Sequence, residues 1–100
     1  MESFKEIIGG KEPVLVDFYA TWCGPCKMMH PTIDELSNDF EGKMRILKVD
    51  IDKNNAAANK YKIQAVPTFI LFREGEIKWR NSGVMDKQAL TNAINPFIKS

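Results

Sequence analysis

The stretch PVLVDFYATWCGPCKMMHP, residues 13–31, changes character halfway along. Its first eight residues are almost wholly apolar and rich in Val and aromatics, which reads as a strand buried on both faces and therefore central in a parallel or mixed sheet. From Cys23 the period changes. Met29, Ile33, Leu36 and Phe40 follow at spacings of four, three and four, one stripe of a helix ending near Glu41-Gly42. The joint between the two holds both cysteines of the chain, Cys23 and Cys26.

Working outward, residues 2–9 place Phe4, Ile7 and Ile8 at helical spacing, stopped by Gly9-Gly10. Residues 44–52 form a second strand, with Leu47, Val49 and Ile51 alternating against Ile46, Lys48 and Asp50. Residues 54–62 read as a short helix. PTFILFRE and EIKWRNS flank the tight turn Glu74-Gly75-Glu76 and predict a β-hairpin, with Ile77 and Trp79 packing on one face. Residues 86–99 close the chain as a helix with Leu90, Ile94 and Phe97 on one face, and Met28, Met29 and Met44 read as core fillers. The order α-β-α-β-α-β-β-α predicts an α/β fold: a parallel strand–helix–strand pair joined by an antiparallel hairpin in one four-stranded mixed sheet, with helices on both faces.

One hundred residues suit a single domain, 1–100, able to bury a core without staples. Basic and acidic residues are interspersed and the net charge is +1. That excludes the clustered Lys and Arg of a nucleic-acid surface and the basic face of a membrane-surface helix. No apolar run approaches the roughly 20 residues of a transmembrane helix, and the N-terminus lacks a basic segment followed by an apolar one. A cytoplasmic location is expected, or a periplasmic one if an export signal has been trimmed.

The thiols sit three positions apart at a helix start. On a helix that spacing separates Cα atoms by roughly 5 Å, within the range of about 4.4–6.8 Å that a disulfide needs. The pair can bridge with little backbone movement. As a structural staple it would add only about 2 kcal/mol, because the loop it closes is so short. A closed zinc site needs four ligands, and neither a second Cys pair nor a His pair exists, since His30 is the only histidine. At the helix N-terminus, beside unpaired N–H groups and the positive end of the dipole, the thiolate of Cys23 is stabilised. Pro25 fits the first turn, where no N–H partner is needed, and Gly24 leaves room for a substrate chain. Position alone therefore makes Cys23 the attacking thiol and Cys26, one turn in, the resolving one.

With WCGPCK at 22–27, Pro31 beyond it, VDFYA at 16–20, Val66-Pro67-Thr68, Gly75 and Gly83, the chain closely resembles the thioredoxin family from about residue 13 to its end. The resemblance implies a protein-disulfide reductant with a potential near about −270 mV, acting as a monomer on disulfide-containing target proteins and regenerated by a thioredoxin reductase. It implies no bound cofactor, because the cysteines carry the two electrons. Many relatives begin with an edge strand that this chain lacks, so four strands are expected and strand 44–52 becomes an exposed edge, guarded by Lys48, Asp50 and Asp52. Tyr19 stands where many relatives have Trp.

The resemblance also assigns roles. Asp17, the only charged residue of its strand, shares a face with Leu15 and Tyr19, and burial should raise its pKa. It becomes the general base that deprotonates Cys26, directly or through a water, with Lys48 as its electrostatic partner. Pro67 is expected to be cis and to turn the backbone of Val66 towards Cys23, where an extended substrate can add as a strand. Trp22, Gly24, Pro25, Val66, Gly83 and Val84 are expected to form an apolar contact patch. Pro31 should kink its helix. His30 reads as a solvated helix residue with a pH-tuning effect on Cys26 as the alternative. The rival to redox chemistry is a binding module that uses the same patch for docking.

Overall fold

The computed structural model describes residues 3–98. α1 (Phe4–Ile8) starts on a reciprocal cap: the Glu6 N–H donates to Ser3 Oγ at 3.1 Å while the Glu6 carboxylate accepts from the Ser3 N–H. β1 (Val14–Tyr19) follows, then α2 (Gly24–Asp39), β2 (Arg45–Asp50), α3 (Asn55–Lys60), β3 (Thr68–Arg73), β4 (Glu76–Ser82) and α4 (Lys87–Ile98). Residues 2 and 99, expected in the terminal helices, lie outside the described residues.

The strands form one sheet in the order β2-β1-β3-β4. β1 runs parallel to β2 and antiparallel to β3, and β3 and β4 make the hairpin. The mixed four-stranded sheet is therefore as expected, with β1 central and β2 at an edge. Alternation along β1 splits its apolar side chains between two cores. Leu15 joins Met29, Ile33 and Leu36 of α2 and Leu90 and Ile94 of α4 on one face. Val14, Val16 and Phe18 join Ile8 of α1, with Ala57 of α3 and Tyr61 packed against them, on the other. Burial on both faces explains why β1 is apolar throughout except at Asp17.

The hairpin turn consists of Glu74 and Gly75, both in the left-handed region (φ 53° and 79°), which matches the right-handed twist of the paired strands. Arg80 of β4 donates to the carbonyls of Tyr61 and Lys62 and so ties the end of α3 to the sheet. Pro31 sits inside α2, which continues through it. Its missing N–H costs the helix the bond to the Lys27 carbonyl.

Three expectations need correction. Ile77 and Trp79 do not share a face, because the register shifts between Leu71 and Phe72: Leu71 pairs with Trp79 and Phe72 with Ile77. The bulge turns Trp79 onto the α2–α4 core and leaves Ile77 exposed. Met28 is exposed, whereas Met29 and Met44 are buried. Met28 lies off the Cys26-Met29-Ile33-Leu36 stripe, about 100° round the helix from Met29. Asp50 does not guard the sheet edge. It is buried, and its Oδ1 accepts from the Asp52 N–H at 2.8 Å, capping the turn after β2.

The bulge makes Trp79→Ala and Ile77→Ala unequal. The first should cost about 2–3 kcal/mol for a half-buried aromatic facing the core, the second under about 1 kcal/mol, as read from urea midpoints. Equal losses would mean that the two side chains share an environment.

Candidate functional site

β1 delivers the chain to the site. After Ala20 the backbone turns, and Cys23 adopts an extended conformation (φ −88°, ψ 111°) as the residue that caps α2. Its sulfur accepts the Cys26 N–H at 3.1 Å. A cap oxygen usually fills that place; here the acceptor is Sγ. Pro25 occupies the first turn, where its missing N–H is no loss. A Cβ built on Gly24 meets no atom within 4 Å, so packing does not demand the glycine and the helix start stays open.

Cys23 and Cys26 are joined as a disulfide with Cα atoms 5.3 Å apart, the separation expected of the first turn of a helix. Both are buried, at 4 % and 1 % exposure. Cys23 is the more exposed of the two, though its opening is narrow. Its sulfur lies 3.7 Å from the Val66 carbonyl oxygen. When the disulfide is opened, the Cys26 N–H and the helix dipole both favour a thiolate at Cys23.

The facing wall is the segment before β3. The Val66–Pro67 bond is cis. The Gly83 N–H donates to the Pro67 carbonyl at 2.8 Å, with Gly83 itself at φ 99°, so two distant segments of chain meet beside the thiols. The Thr68 hydroxyl donates to the Ala65 carbonyl at 2.6 Å and bonds Ser82 Oγ at 2.9 Å, bracing the same loop. Trp22 is 68 % exposed and Val84 is exposed as well. Trp22 and Val66 line a cleft of about 330 Å³ together with Ile51, Ile63, Gln64 and Ala65. The indole N–H of Trp22 donates to Asp52 at 3.0 Å, which holds the ring against the loop after β2. Neither Asp52 nor Thr68 stood out as a site residue in the sequence. Thirty residues separate Trp22 from Asp52, so no local pattern joins them.

Asp17 lies on the sheet face that α2 covers and is 1 % exposed. Burial pushes its carboxyl up to about 6, against a smaller downward pull from Lys48. Its Oδ1 has no hydrogen-bond partner among the described residues. Lys48 stands opposite Asp17 in the β1–β2 register, but its ammonium pairs with Asp34 at 3.3 Å instead. It acts on Asp17 through space, without an ion pair. His30 is half-buried, packed edge-on against Tyr19. It is less solvated than its helix position suggested. Among the described residues no three His, Cys, Asp or Glu side chains converge as a metal site.

The arrangement suits dithiol–disulfide exchange: a reversible bond at a helix start, with an apolar rim and a buried carboxyl on the preceding strand. The sequence comparisons agree with it. The family model described as Thioredoxin matches residues 1–96. The thioredoxin of Rickettsia conorii is 46 % identical over 94 residues, covering 94 % of this chain and 90 % of the relative. That of Rickettsia prowazekii is 44 % identical over 97 residues, covering 96 % and 92 %. Thioredoxin Y1, chloroplastic, of Arabidopsis thaliana is 43 % identical over 99 residues, covering 98 % of this chain and 58 % of the relative. In this family the cysteine pair is itself the redox group and no further cofactor is required. With the cysteines, the sheet and the sequence all in agreement, the chain belongs to the thioredoxin family.

Proposed function

We propose that the chain reduces disulfides of target proteins, with Cys23 as nucleophile and Cys26 as resolving thiol. The observation that carries this is the Cys23 sulfur held at the start of α2 on the Cys26 N–H, bonded to the more deeply buried Cys26. The Cys23 thiolate attacks one sulfur of a target disulfide, and the other sulfur leaves as a thiolate. Cys26 then loses its proton to Asp17 and attacks Cys23. The second target sulfur is released, the target gains two electrons and the Cys23–Cys26 disulfide forms. A thioredoxin reductase restores the dithiol. Asp17 fits the role of base because a carboxylate with a pKa of about 6 takes a proton near neutrality and passes it on.

The rim binds the target. Trp22, Gly24, Pro25 and Val84 offer exposed surface beside Cys23, and an extended segment can run past Val66, Pro67 and Gly83. One domain over 1–100, acting as a monomer, accounts for these steps. Neither nucleic acid nor a membrane has a part in them. A cytoplasmic setting fits a reductant, since the thiol pool there keeps cysteines reduced.

Reduction of insulin by dithiothreitol, followed by turbidity, tests the reading. The wild type should accelerate it, Cys23→Ser should fall to the uncatalysed rate, and Cys26→Ser should accumulate a mixed disulfide with the substrate. A wild type that fails to accelerate would leave the docking role alone, and the Cys23→Ser/Cys26→Ser double variant should then still bind its partner. Asp17→Asn should slow release of the mixed disulfide by about tenfold or more; unchanged release across the pH range would remove Asp17 from the mechanism.

Asp17 also ties stability to pH. Its folded pKa of about 6 lies above the ordinary value of 3.8. Between those two values the folded chain keeps a proton that the unfolded chain has released, so stability falls as pH rises through that window. The full cost above pH 6 is about 3 kcal/mol. In denaturant titrations Asp17→Asn should be more stable than wild type at pH 8, with the gain fading as pH falls below about 4. An equal difference at both pH values would contradict a burial-driven shift.

A further inference from the structure

The chain's single histidine has no part in the exchange described above. It sits on α2 four residues after Cys26, its ring edge-on to Tyr19 with centroids 6.0 Å apart. Its Nδ1 lies 3.5 Å from Lys48 Nζ, and Asp34 Oδ1, one turn further along, lies 3.3 Å from the same nitrogen. Two groups of one helix thus converge on one ammonium of the neighbouring strand.

That ammonium has another place to go. Lys48 and Asp17 are register partners on adjacent parallel strands. Register partners point to the same face from backbones about 4.8 Å apart, and a lysine's four-carbon stem spans that gap. Among the described residues the buried Asp17 Oδ1 nonetheless lacks a hydrogen-bond partner. Around His30, β1 presents Asp17 and Tyr19, β2 presents Lys48, and α2 itself carries Cys26, Lys27 and Asp34; the Asp50 carboxylate is turned into the loop after β2. Lys48 is therefore the cation whose position decides the field at Asp17.

We propose that His30 is a positioning residue that, together with Asp34, holds the Lys48 ammonium on the α2 surface and keeps it from pairing with Asp17. A neutral imidazole does this by accepting from Lys48 through Nδ1, with its proton on Nε2. The consequence for the reaction rests on the reading of Asp17 as the base for Cys26. An Asp17 paired with Lys48 would hold its charge more firmly and take a proton less readily.

The test is the pH titration of the Asp17 carboxyl carbon by NMR in the disulfide form. His30→Ala should lower the midpoint by about 0.3 pH unit or more, because the released ammonium moves towards the carboxylate. His30→Gln, which keeps an acceptor, should restore most of it. In a Lys48→Met background His30→Ala should leave the midpoint where that background sets it. An unmoved or raised midpoint in His30→Ala, or a shift that persists without Lys48, overturns the proposal. The pH profile of mixed-disulfide release, measured on the same variants, separates the two readings. A midpoint that moves while the profile stays fixed would refute Asp17 as the base and leave the positioning role intact.

Discussion

The hydrogen bond from the Cys26 N–H to the Cys23 sulfur is the contact on which the rest of the structure is organised. It closes the first turn of α2 with a side chain that is also the reactive group. A serine there would cap the helix as well or better, so the sulfur is present for its chemistry. The bond sits one turn of chain after Ala20, where β1, buried on both faces within the sheet, hands over to α2, which covers the face holding Asp17.

The same geometry creates a conflict that the fold retains. A carboxyl on the central strand, beneath a helix, is costly to ionise. A direct ion pair would relieve part of the cost, and Lys48 is within reach through the strand register. The fold instead gives Lys48 partners on α2. The carboxyl therefore stays hard to ionise, at a cost in stability near neutral pH.

Much of this could be read from the sequence, and the reasons are local. The switch from an apolar run to a spacing of four, three and four placed β1 and α2. The Cys-Gly-Pro-Cys spacing placed the redox pair, and the Glu74-Gly75 turn placed the hairpin. What escaped was non-local or too small to leave a pattern. The bulge adds one residue, near Lys78, with no glycine to mark it, so strict alternation put Trp79 and Ile77 on one face. Asp50 looked like an edge charge because its bond to the following turn depends on the chain reversing there. The contacts of Trp22 with Asp52 and of His30 with Lys48 join segments that only the folded sheet brings together. The outward position of Met28 follows from the helix wheel alone, about 100° round from the buried Met29.

The narrow opening at Cys23 has a consequence for which disulfides can be read. Sulfur-for-sulfur displacement proceeds with the three sulfur atoms nearly in line. If Cys23 attacks as proposed, a sulfur on a residue 4 % exposed and flanked by the Val66 carbonyl would admit only a disulfide that protrudes or lies on a segment able to straighten alongside it. A bond buried in a rigid partner is invisible until that partner frays. On the proposed mechanism discrimination would reside largely in the client, whose own local opening equilibrium would set the rate and make the chain a sensor of other proteins' loose ends.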